Sequence, residues 1–167
     1  MPSITTLGGA LLPLGLAGCM AYSPGSFRRS GEAFEGQLLT LDCLDLGVAS
    51  QHDPVAPGPV VAYQFGNRCD HSIRVDLGAI HATGRTPAGE EVALVPYDPY
   101  GEIRPLRLEA HSYGRERLEY RKARDFGVAL VQVCVDVGGM TDSGAGNRVC
   151  FDNQLPESAA QVAGVTP

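Results

Sequence analysis

Tryptophan is absent from this chain, and Lys122 is the only lysine among its 13 cationic side chains. The few aromatics, 5 Phe and 6 Tyr, mostly alternate along strand-like runs, which counts against a stacked platform for carbohydrate. A net charge of −6 counts against a general nucleic-acid binder, which needs a basic footprint. Cys-x-x-Cys and His-x-x-x-His spacings are missing, so the common zinc patterns do not apply. None of His52, His71, His81 and His111 stands beside a nucleophile motif such as Gly-x-Ser-x-Gly. No apolar run reaches the roughly 20 residues that a membrane-spanning helix requires. No metal or cofactor is expected, and no catalytic residue is assigned.

What is present at the start is an uncharged apolar stretch, Leu7 to Leu16, followed by Ala17, Gly18 and Cys19. An apolar run of this length ending in small residues suits a secretory signal, although Met1 to Gly18 lack the positive charge that usually opens one. The tetrapeptide Leu16-Ala17-Gly18-Cys19 resembles the lipobox of bacterial lipoproteins. That resemblance implies cleavage before Cys19, lipidation of Cys19 with palmitate-type acyl chains, and a membrane anchor through this residue. Residues 1–18 are then a signal peptide. Met20 is not the aspartate that implies inner-membrane retention, so the outer membrane is favoured, facing the periplasm or the cell surface. Residues 19–36 mix small, polar and charged types without a period and read as a flexible tether.

Setting Cys19 aside leaves an even set: Cys43, Cys69, Cys134 and Cys150. In an exported domain such a set implies two disulfides. Strand faces choose among the pairings. Cys134 lies out of phase with Val131, Val133 and Val135, and Cys150 lies out of phase with Val149 and Phe151. Both thus project from the face opposite the apolar line and can meet across neighbouring strands. Cys43 is left to pair with Cys69.

From Gln37 apolar residues recur at every second position. The runs are Leu39 to Val48, with a phase slip at Cys43-Leu44 that reads as a bulge or bend, then Val61 to Phe65, Ile73 to Ala79, Val92 to Leu94, Leu106 to Ala110, Leu118 to Tyr120, Ala129 to Val137 and Val149 to Phe151. About eight short strands separated by turn residues predict an all-β, antiparallel β-sandwich over residues 37–152, with 153–167 as a disordered tail. Asp98-Pro99-Tyr100-Gly101 suits a type I turn, and Ser112-Tyr113-Gly114 reads as the turn of a hairpin joining the Leu106 and Leu118 runs. Asp125-Phe126-Gly127 ahead of Cys134 is similar to the stretch before the second core cysteine of antibody-type domains. The resemblance implies only a generic immunoglobulin-like sandwich, since Gln132 stands where a tyrosine corner would place Tyr.

Two segments carry candidate chemistry. Asp136, Asp142 and Asn147 in a glycine-rich loop offer oxygens to a cation, but fewer than the six to eight that calcium takes, and a disulfide-closed hairpin accounts for the glycines. Residues 104–124 hold Arg104, Arg107, Arg115, Arg117, Arg121, Lys122 and Arg124 against Glu109, Glu116 and Glu119. On a hairpin, Arg107, Arg115, Arg117 and Arg121 would share an outward face able to meet an anionic partner. Glu116 falls on the inward line with Leu118 and Tyr120. The functional expectation is a non-enzymatic, lipid-anchored binding or assembly module with an envelope protein as partner. The alternatives are an envelope hydrolase and a carrier of a small ligand or ion.

Overall fold

The phase slip after Cys43 is a chain reversal. Leu41 pairs directly with Leu44, and Asp42 occupies the left-handed region at φ 50°, so two adjacent strands meet through a two-residue turn where a bulge or bend was expected. The computed structural model describes residues 22–29, 31–97, 103–122, 129–141 and 146–153. The turn Asp98 to Gly101 lies outside the described residues.

The strands are β1 (Arg28–Arg29), β2 (Glu32–Ala33), β3 (Gln37–Leu41), β4 (Leu44–Gln51), β5 (Val60–Asn67), β6 (Ile73–Val75), β7 (His81–Arg85), β8 (Glu91–Tyr97), β9 (Leu106–Leu108), β10 (Tyr113–Lys122), β11 (Gln132–Asp136) and β12 (Arg148–Asp152). Short 3-10 helices cover Leu77–Ala79 and Gly138–Met140. All strand pairs are antiparallel. Eight strands form one sheet in the order β12-β11-β7-β8-β10-β5-β4-β3, which curls until β12 packs against β4, nearly closing a barrel. The fold is thus all-β, with the two facing layers of the expected sandwich built from halves of one continuous sheet.

The period-two residues fill the interior, as the alternation of a half-buried strand requires. Leu44, Leu46 and Val48 of β4 face Val61, Tyr63 and Phe65 of β5, Leu118 and Tyr120 of β10, and Val133, Val135 and Val149 from β11 and β12 in one cluster. The Tyr63 and Tyr120 hydroxyls bond to each other at 2.7 Å at its centre, which satisfies two polar groups that burial would otherwise penalise.

Three expected strands are arranged differently. The Ile73 run ends after Val75, because Asp76 caps a 3-10 helix by accepting from the Gly78 N–H at 3.0 Å, and the chain then starts β7 at His81, which is exposed. Ala129 to Val131 precede β11, and of them Val131 makes backbone bonds to Arg85 and Asn153. The hairpin of the Leu106 and Leu118 runs does not form: β9 pairs with β6, whereas β10 lies between β5 and β8. Ser112 does turn the chain, with its N–H donating to Glu109, but it hands the chain to another layer.

The β6–β9 ribbon closes one end of the barrel. Val75 and Leu108 are buried in the core cluster, and Leu106 and Leu108 lie over Gly114, where a Cβ would stand 2.8 Å from Leu108 Cδ2. The β3–β4 turn, the segment after β5 and both 3-10 helices gather at this same end. Residue 153, after β12, lies at the other end, bonded to Leu130 and Val131.

Candidate functional site

The outward positions of β4 and β5 are Asp45, Gly47 and Ala49 beside Ala62, Gln64 and Gly66, small residues where a solvated face would carry large polar ones. Residues 22–29 and 31–36 lie on that face. Phe34 covers Gly47 and the Tyr22 ring covers Gly66, where a Cβ would sit 2.1 Å from the ring carbon Cζ. Phe34 stacks with Tyr22 at 5.8 Å and meets Phe27 and Tyr113 edge-on at 5.9 and 5.7 Å. Residues 22–29 and 31–36 therefore belong to the folded unit. This corrects the expected tether of 19–36, whose mixed composition concealed three aromatics with a matching hollow.

A buried carboxylate fastens this flap. Asp45, 1% exposed, accepts from the Tyr22 hydroxyl at 2.6 Å, the Gly25 N–H at 2.8 Å and the Thr40 hydroxyl at 3.2 Å. Arg68 Nε stands 3.1 Å from Oδ1 as an ion-pair contact. The Arg68 guanidinium also donates to the Asp42 carbonyl. Burial first, and then the bond to Asp45, push the Tyr22 phenol up to about 12, so it stays a donor across the physiological range. The Tyr22 N–H donates to the His111 carbonyl, which places the start of the described chain at the barrel end closed by the β6–β9 ribbon.

Both disulfides are present, Cys43 to Cys69 and Cys134 to Cys150. Cys134 and Cys150 are register partners on the outer face of the β11–β12 pair. Cys43–Cys69 ties the β3–β4 turn to the segment after β5, beside the flap. Cys19 lies outside the described residues.

The expected arginine face is divided. Arg115, Arg117 and Arg121 point outward from β10, but Arg117 donates to Asp53 at 3.0 Å, and Arg121 donates to Glu119 at 2.6 Å while lying 3.3 Å from the centre of the Tyr97 ring. Arg107 is elsewhere, on β9, where it donates to Glu109 and Ser72, both at 3.1 Å. The shared face required β9 and β10 to pair, and they do not. Arg124 lies outside the described residues, and Glu116 is half-buried opposite Tyr63 of β5. Asp136 accepts from Gly138 and Asn147 N–H groups at 3.0 and 3.3 Å and so organises its own loop; Asp142 is outside the described residues.

What sequence reasoning missed is Arg74. It is the direct cross-strand partner of Arg107, and both are exposed, 71% and 73%. The signal was the alternation Ile73-Arg74-Val75 against Leu106-Arg107-Leu108, which is visible only once β6 and β9 are known to pair. The two arginines, with Ser72, Ile73, Pro105 and Leu106, line a concavity of about 530 Å³. Ile73 and Arg74 also line a cleft of about 810 Å³, together with Leu44, His71, Asp76 and Met140. Among the described residues no three His, Cys, Asp or Glu side chains come together as a metal site, and no helix is long and apolar enough to cross a membrane.

No family model matches the chain, and no curated protein matches it. Among solved structures, the crystal structure of the yjhA protein from Bacillus subtilis is similar at 10% identity and a TM-score of 0.47, over 70% of this chain and 97% of that one. A likeness at that level carries no functional argument.

Proposed function

We propose that the protein is a lipid-anchored module of a bacterial cell envelope that acts by binding another envelope component and not by catalysis. The observation that carries this reading is the coincidence of the Leu16-Ala17-Gly18-Cys19 lipobox with two disulfides in the domain that follows. Disulfides persist in oxidising compartments, and a lipobox delivers a chain to one. Binding is favoured over catalysis because several reactive side chains already serve structure. The four cysteines are oxidised, which removes the thiolate a cysteine enzyme uses, and Asp45 holds the flap.

The reading is tested at Cys19. Cys19→Ser, or globomycin treatment of cells, is expected to accumulate unprocessed precursor and to move the protein from the membrane fraction to the soluble one. Wild-type protein that is soluble and free of acyl mass would overturn it. A pull-down from detergent-solubilised envelopes then identifies the protein partner.

A further inference from the structure

We infer that the Arg74–Arg107 pair is a binding site for the phosphate of anionic membrane-lipid headgroups, on the end of the barrel that faces the bilayer. The inference rests on the anchor at Cys19 proposed above. Tyr22 is buried and bonded to the His111 carbonyl, so only Met20 and Ala21 separate the fixed start of the domain from Cys19. The three Cα-to-Cα steps from Cys19 to Tyr22 reach at most about 10 Å. The end closed by the β6–β9 ribbon is therefore held within about that distance of the lipid surface.

That end sets two like charges directly opposite each other. Like charges directly opposite on paired strands repel, yet Arg74 and Arg107 face each other across the ribbon with no intervening residue. Their strands cannot relax apart, because the inward residues Val75 and Leu108 are locked in the core. Asp76 at 3.5 Å from Arg74 and Glu109 at 3.1 Å from Arg107 offset part of the repulsion. Neither carboxylate lies between the two guanidinium groups in sequence register. Each follows its arginine by two residues, just past the end of the strand.

Each guanidinium has five N–H donors. Arg107 commits Nε to Glu109 and an Nη to Ser72, and Arg74 places one Nη near Asp76, so donors remain on both to reach an oxyanion in the shared concavity. Guanidinium forks match phosphate geometry, and basic groups near an anionic leaflet each favour contact by about fivefold. Ile73, Pro105 and Leu106 also line the concavity and add partly exposed apolar surface suited to the glycerol part of a headgroup. A lipid phosphate is favoured over a soluble one because the short tether presents lipid to this end at high local concentration.

The test uses the full acylated protein in nanodiscs of phosphatidylcholine, with or without phosphatidylglycerol, and in detergent micelles with inorganic phosphate. Arginine modification by phenylglyoxal is mapped by mass spectrometry. Arg74 and Arg107 are expected to react roughly tenfold more slowly in the phosphatidylglycerol discs, while Arg85, exposed at the far end of β7, reacts at the same rate throughout. Equal reactivity of Arg74 and Arg107 in all samples would overturn the site. Equal protection by inorganic phosphate in micelles would overturn the lipid as its ligand. The intact mass reports acylation of Cys19 separately, so a missing anchor and a missing headgroup site give different results.

Discussion

Asp45 is the side chain on which the N-terminal segment depends. A carboxylate removed from water needs donors on both oxygens, and two of its donors, Tyr22 and Gly25, belong to the flap. Tyr22→Phe keeps the ring over Gly66 but removes the hydroxyl that links the Phe27 N–H to Asp45. The expected loss is about 1–2 kcal/mol of unfolding free energy, measured by chemical denaturation. Burial of the phenol, together with this bond, sets a pH response. The folded phenol is raised to about 12 against an unfolded value of 10.0, so the folded state holds its proton where the unfolded state releases it. This contribution is complete below pH 10 and declines as pH rises toward 12. A fall in melting temperature over that interval, smaller in Tyr22→Phe, is the expected result; an identical fall in the variant would remove Tyr22 from the effect.

The flap and the sheet face beneath it are one packing unit assembled from distant sequence. Gly66 is required by the close approach of the Tyr22 ring, so Gly66→Ala must displace that ring and is expected to cost about 1–3 kcal/mol. A combined Tyr22→Ala/Gly66→Ala variant should show less than the sum of the separate losses, because the added methyl then occupies space already vacated. Strict additivity would mean that the ring does not rest there. At this scale the sequence is legible wherever one face of a strand is apolar. Leu44 to Val48, Val61 to Phe65 and Leu118 to Tyr120 alternate as they pack, and the out-of-phase cysteines 134 and 150 announce their bridge. Pairing between distant segments is not legible. Ser112-Tyr113-Gly114 carries the local chemistry of a hairpin, but β9 finds its partner in β6, where burial of Ile73, Val75, Leu106 and Leu108 against the barrel outweighs the local turn. The flap was hidden for the same reason, since its aromatics obey no period and are recognised only by the glycines they cover.

For the molecule as a whole, polarity of the two ends follows from where the chain is fixed. Tyr22 fastens one end near residue 19, and the Asn153 side chain donates to the Leu130 carbonyl at the other. On the anchor proposed at Cys19, a domain of this shape stands with its ribbon toward lipid and its β7–β8 turn away from it. The short link is what enforces that posture, so lengthening it should release the domain without unfolding it. A ten-residue Gly/Ser insertion between Met20 and Ala21 adds a root-mean-square reach of about 17 Å, which dilutes the local concentration of headgroups at the ribbon. Acylation, both disulfides and the melting temperature are expected to stay unchanged, because the flap from Tyr22 onward is untouched. Phenylglyoxal protection of Arg74 and Arg107 in phosphatidylglycerol nanodiscs should fall severalfold and become more sensitive to salt, as contact then relies on charge attraction with less help from the tether. Protection that persists undiminished would mean that the arginine pair holds the surface by itself and that the two-residue link plays no part in orienting the domain.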